Sequence, residues 1–90
     1  MSVRAIEIRC IDHVVLRVRD VAASKRFYCD ALGCTVERES EALGLHQLRA
    51  GSSLIDLVPI AGPLGRLGGA GPGAEGRNLD HVALALAGFD

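Results

Sequence analysis

The feature that most constrains this fold is a short segment that occurs twice in the chain. Residues 11–18 read IDHVVLRV, and residues 79–86 read LDHVALAL. A repeat at this distance is too long for a helical hairpin or a propeller blade, and it predicts two copies of a half-domain. Both segments are rich in Val, Leu and Ile, which favours a β-strand whose alternate side chains face opposite ways. One face is then apolar, while the other carries His13 in the first copy and His81 in the second.

The residues after the first copy predict one helix and three strands. Asp20 is a suitable N-cap, and a helix over 21–32 would end at Gly33, where a positive φ costs little. The apolar face of this helix, which includes Phe27 and Tyr28, would pack on the apolar face of the first strand. Short strands are predicted at 34–39, 43–49 and 54–58. The order strand, helix, strand, strand, strand gives an α+β fold built from a βαβββ module.

A change of composition then divides the chain. Residues 59–78 contain seven of the eleven glycines and all three prolines, which is typical of a flexible linker. We therefore expect a first βαβββ module at 1–58, a Gly/Pro-rich linker at 59–78, and the first strand of a second module at 79–90. That last stretch is too short for a further βαβ unit, which takes roughly thirty residues. The second module is accordingly predicted to be truncated after its first strand.

Composition excludes several classes of function. Ten basic and eleven acidic residues give a net charge of -1, which favours neither nucleic acid nor an anionic membrane surface as a partner. No apolar run is long enough to cross a bilayer, and the N-terminus does not resemble a signal peptide, so we expect a cytoplasmic protein. The three cysteines show no CxxC spacing, which indicates reduced thiols.

Asp56 is the anomaly of the last predicted strand, because it lies between apolar residues on the face that it shares with Leu54 and Val58. A carboxylate there needs a partner, since an unpaired buried charge is unfavourable. It is either a metal ligand or a salt-bridge partner of Arg17, which alternation places on the face of His13. Arg17 itself is either a solvated strand arginine or, if this face forms a binding site, a bidentate contact for an anionic group of a substrate.

These segments resemble the vicinal oxygen chelate superfamily, which contains glyoxalase I, extradiol dioxygenases, fosfomycin resistance proteins and bleomycin-binding proteins. The resemblance implies a cupped sheet made by two paired βαβββ modules, with a divalent metal in the cup. It implies His13, Asp56 and His81 as ligands, although the usual residue at the position of Asp56 is a longer Glu. The fourth ligand would lie in the second module. The segments that carry the resemblance are residues 11–20, 24–33, 54–57 and 79–82.

The histidines have a second interpretation that needs no metal. Each is then bonded to a backbone carbonyl or to the aspartate before it, Asp12 or Asp80. If they do bind metal, two imidazoles and a carboxylate with open coordination positions suit Zn, Ni, Mn or Fe.

The resemblance implies, first, a glyoxalase-like metal-dependent lyase or isomerase that chelates vicinal oxygens of a small substrate. The alternatives are a metal-free small-molecule binding module of the bleomycin-resistance type, an extradiol-type dioxygenase, and a truncated half that is inactive alone. An exposed strand edge favours self-association, so we also expect a homodimer, with strand exchange through residues 79–86 as one form of it.

Overall fold

The computed structural model describes residues 5–71, 73–75 and 79–88, and it contains a four-stranded mixed sheet with two short helices. The strand order is β1-β4-β3-β2, in which β1 and β4 are parallel and the other pairs are antiparallel. This arrangement confirms the predicted α+β module with one crossover helix. Its elements are β1 (His13–Val18), α1 (Val21–Arg26), β2 (Thr35–Ser40), β3 (Leu45–Ala50), β4 (Ser53–Pro59) and α2 (Pro63–Leu67).

Helix α1 begins where the sequence predicts and changes its winding before it ends. The Asp20 carboxylate accepts a hydrogen bond from the backbone N–H of Ala23 at 3.0 Å, and Gly33 has a φ of 77°. From Phe27 to Ala31 the helix continues as a wider π-helical turn. The half-buried positions of the helix include Val21, Ser24 and Tyr28. Tyr28 packs against the core whereas Phe27, beside that face, is 54% exposed, so the prediction that both rings pack in the core is wrong for Phe27.

The core lies between the sheet and α1. Leu48 and Leu57 have no exposed surface, and Ile55 and Cys34 complete the buried cluster. The predicted apolar face of β1 and the ring of Tyr28 pack against these residues. The first copy of the repeat therefore buries the face that its alternation predicts.

The opposite side of the sheet, here called the open face, carries the polar side chains. Val15 of β1 and Gln47 of β3 are the strand neighbours of Asp56, which lies in β4 between them. Alternation then places His13 and Arg17 on this face as well. The module thus brings the first-copy histidine and the anomalous aspartate to one surface.

The first part of the predicted linker is folded. Strand β4 extends to Pro59, and α2 follows after a turn in which the Gly62 N–H donates to the Pro59 carbonyl at 2.9 Å. A Cβ at Gly65 would overlap the carbonyl oxygen of Pro59 and lie 2.8 Å from that of Ile60. Glycine is therefore required here for close packing, a use that composition does not distinguish from flexibility.

Residues 79–86, the predicted first strand of a second module, lie outside the four strands that the structure describes. Their apolar side chains are largely exposed, although 84–86 line a cavity of about 150 Å³ together with 32–34 and 49–51. A strand needs a neighbouring strand for its backbone hydrogen bonds, and this segment has none among the described residues. Parts of the three predicted units, residues 1–4, 72, 76–78 and 89–90, fall outside the described residues.

Neither of the helices in the described part of the chain is long and apolar enough to span a membrane.

Candidate functional site

Asp56 is the most constrained polar residue of the open face. It is only 3% exposed, and its Oδ2 accepts a hydrogen bond from Nε2 of Gln47 at 3.2 Å. Its other oxygen, Oδ1, is buried and has no hydrogen-bond partner among the described residues. A buried carboxylate oxygen without a partner is unfavourable, so this atom is a candidate ligand for a cation or a donor that enters the site.

His13 approaches the same carboxylate from β1. Its Nε2 lies 3.9 Å from Oδ2 of Asp56, while its Nδ1 lies 2.8 Å from Oδ2 of Asp12. A histidine that donates its Nδ1 proton to a carboxylate keeps the lone pair of Nε2 for a ligand. The hydrogen bond to Asp12 raises the pKa of His13, and the charge of Asp56 raises it further. Both carboxylates therefore favour positive charge at this position, whether it is a proton or a metal.

Arg17 is engaged elsewhere. Its guanidinium donates to the carbonyl oxygens of three consecutive residues after α2, at 3.3, 2.5 and 3.4 Å for Gly68, Gly69 and Ala70. Its Nε is buried without a partner among the described residues. The structure therefore gives Asp56 and Arg17 different partners, and the interpretation that they form a salt bridge with each other is wrong for the described structure.

His81 lies apart from these residues. Its side chain is 77% exposed, and its Nδ1 lies 2.7 Å from Oδ1 of Asp80. Within 5–71, 73–75 and 79–88, no three His, Cys, Asp or Glu side chains come together as a metal site. Two of the three predicted ligands, His13 and Asp56, thus meet within this chain, and the full set of three remains a prediction.

The two residues that do meet fit a metal as part of its ligand set. Nitrogen and oxygen donors bind such an ion at about 2.0–2.2 Å, which puts two of them roughly 3–3.5 Å apart. Nε2 of His13 and Oδ2 of the Asp56 carboxylate lie 3.9 Å apart, which is close to that separation. This donor set suits a borderline transition ion.

Gln47 is the site residue that the sequence analysis misses. It lies directly opposite Asp56 in the β3–β4 pairing, and its amide fixes one oxygen of that carboxylate. In the sequence, Gln47 is recognisable only as a polar residue next to the apolar Leu48 in a predicted strand. The sequence does not define the register of that strand, so it does not show that Gln47 lies opposite Asp56.

Comparison with known proteins agrees with this architecture. The profile of the Glyoxalase/Bleomycin resistance protein/Dioxygenase superfamily matches residues 10–89. Among solved structures, the chain is similar to an integron cassette protein from the mobile metagenome of V. cholerae, with a TM-score of 0.52 and 19% sequence identity. The match covers 94% of this chain and 55% of that protein, so the chain spans about half of its structural neighbour. No curated protein shows significant sequence similarity to this chain.

Proposed function

This chain belongs to the Glyoxalase/Bleomycin resistance protein/Dioxygenase superfamily, and on that basis we propose that it supplies one half of a divalent-metal site in a glyoxalase-like lyase or isomerase. The observation that carries the proposal is the Asp56 carboxylate, which is 3% exposed, has one oxygen without a partner, and lies beside Nε2 of His13. A protein gains no stability from such a group. A bound cation would satisfy it.

The residues of this half have separable roles in the proposal. His13 and Asp56 are ligands, Asp12 holds the imidazole with Nε2 available, and Gln47 holds one oxygen of the carboxylate. When bound, a divalent transition metal such as Zn, Ni, Mn or Fe would act as a Lewis acid toward vicinal oxygens of a small substrate.

The remaining ligands come from a second half. In the proposal His81 is one of these ligands. Either residues 79–86 of a second copy of the chain contribute it, or further sequence in a longer chain completes the second half of the site. Strand β1 lies at the edge of the sheet, so its outer backbone groups can pair with another strand. A homodimer, including one that exchanges residues 79–86, would both supply His81 and pair the free edge of β1.

Calorimetry with Zn(II), Ni(II) and Mn(II) on metal-stripped protein tests the site. We expect His13→Ala and His81→Ala to lose binding, and Asp56→Asn to weaken it partly, because an amide oxygen still coordinates. The matched control is His46→Ala, since His46 lies on the helix-covered side and bonds to Glu39 at 2.6 Å. It should bind metal as the wild type does.

The pH dependence gives a second readout. Imidazole must lose its proton to bind metal, and Asp12 and Asp56 raise the pKa of His13. Metal affinity should therefore begin to fall at a higher pH than it would for an ordinary histidine with a pKa of about 6.5.

Equal metal affinity in the wild type and in a His13→Ala, His81→Ala double variant would contradict the proposal. Stabilisation by a small molecule without metal would then support the alternative of a metal-free binding module. Oxygen uptake by iron-loaded protein would instead support the dioxygenase alternative.

A further inference from the structure

The segment 60–71, which we call the strap, is attached to the sheet by specific contacts. The Ile60 N–H donates to the Val18 carbonyl at 2.9 Å, and the carbonyls after α2 accept from the Arg17 guanidinium. A Cβ at Gly68 would lie 3.0 Å from the guanidinium carbon of Arg17. The backbone of the strap at Gly68 therefore lies close against the guanidinium of Arg17.

The contact with the strap satisfies the hydrogen-bonding capacity of Arg17 only in part. Its acceptors are neutral carbonyls, and the described residues within salt-bridge distance of its guanidinium include no carboxylate. Its Nε has no partner although it is buried. An arginine binds a carboxylate or a phosphate more strongly than carbonyls, because the charges attract and two parallel N–H groups fit two oxygens.

The location connects this contact with the proposed metal site. Arg17 and His13 lie on the same face of β1 at a separation of four residues, which is about 13 Å along a strand. The neighbour of Asp56 in the sheet, Val15, lies between them. A small molecule that reaches the open face therefore has the metal ligands toward one end and the guanidinium toward the other.

We propose that the strap is a displaceable gate over Arg17 on the open face, and that a small carboxylate- or phosphate-bearing compound opens it by replacing the carbonyls of Gly68, Gly69 and Ala70 on Arg17. This inference rests on the proposed function for the location of the site, and it adds an anionic substrate class. It does not require that a metal be bound, so the two proposals can fail separately.

Hydrogen exchange of the 90-residue chain, without metal and with inorganic phosphate as the probe, tests the gate. The reporters are the strap amides of Arg66, Gly68 and Gly69, which donate within the strap at 3.0, 3.2 and 3.1 Å. Phosphate should accelerate their exchange by roughly tenfold, because the strap loses its charge-assisted hydrogen bonds. The Nε–H resonance of Arg17 should shift over the same phosphate range.

Two variants and one control sharpen the test. Arg17→Gln should exchange quickly in the strap without phosphate and show no further response. Gly68→Ala, which crowds the guanidinium without removing its charge, should speed strap exchange and still bind phosphate. Arg49→Gln removes an arginine that is paired with Glu37 at 3.2 Å, and its strap should respond as in the wild type.

Two results would overturn the gate. One is the absence of any phosphate-induced shift at Arg17. The other is phosphate binding at Arg17 with unchanged exchange of the strap amides.

Discussion

Replacing Asp56 by asparagine should stabilise the metal-free protein while it weakens metal binding. The carboxylate is 3% exposed and receives one hydrogen bond, from Gln47. Desolvation of a buried ion costs several kcal/mol, whereas a hydrogen bond to a charged group contributes about 1.5–3 kcal/mol. Asparagine keeps the shape and an acceptor for Gln47 without the charge. We therefore expect the free energy of unfolding to rise by about 1–2 kcal/mol.

Urea unfolding with a chelator present, at a pH near 9 where His13 carries little charge, measures this difference. In thermal unfolding the same gain corresponds to about 4–8 °C in Tm per kcal/mol. Asp12→Asn is the matched control, because that side chain is 88% exposed and its change should stay within about 0.5 kcal/mol. A decrease of more than about 1 kcal/mol in the free energy of unfolding of Asp56→Asn would refute the reasoning, since the carboxylate would then stabilise the metal-free fold.

Three further changes test the packing and the site. Gly65→Ala should destabilise the protein by about 1–3 kcal/mol in urea unfolding because its methyl group would overlap backbone atoms, whereas Gly73→Ala, whose methyl would lie 3.6 Å from its nearest neighbour, should have little effect. Leu48→Ala removes a side chain with no exposed surface and should cost about 2–5 kcal/mol in the same assay. Asp12→Asn removes the largest cause of the raised pKa of His13, so an NMR titration should show a lower pKa. Stability that His13 contributes below about pH 6.5, and loses as pH rises through its folded pKa, should shrink with it.

Each of these predictions has a contrary outcome. Equal unfolding midpoints for Gly65→Ala and Gly73→Ala would mean that α2 does not pack as described. A loss below about 1 kcal/mol in Leu48→Ala would place that residue outside the core. An unchanged His13 titration in Asp12→Asn would show that the hydrogen bond between them is absent in solution.

The fold was largely predictable because its signals are local. The repeat defines β1, Asp20 and Gly33 define the limits of the helix, and short apolar runs define the other strands. Boundaries moved by one or two residues: the strands predicted at 34–39 and 43–49 lie at Thr35–Ser40 and Leu45–Ala50. Alternation gives the face of its own strand on which each of His13 and Asp56 lies. That β1 lies beside β4 and brings the two residues together was implied only by the family resemblance.

The contacts of Arg17 and Gln47 were not predictable, because they depend on tertiary geometry. Gln47 reaches Asp56 through the register of β3 against β4, which composition does not define. Arg17 contacts the strap because α2 packs against β4. The glycines of 59–78 had predicted only a flexible linker. The exposure of Phe27 was not predictable either, because it depends on which part of the helix surface the sheet covers.

The Asp–His bonds have a consequence for how such a site can be inherited. In both copies of the repeat the carboxylate that holds the imidazole is the preceding residue, at 2.8 Å for Asp12 and His13 and 2.7 Å for Asp80 and His81. A duplication of this segment therefore copies the histidine that we propose as a ligand together with the carboxylate that orients it, before the new segment pairs with any sheet. Asp56, in contrast, is held by a glutamine from another strand. A copy of the strand that carries the aspartate would therefore lack this hydrogen bond unless the partner strand were copied and paired in the same register.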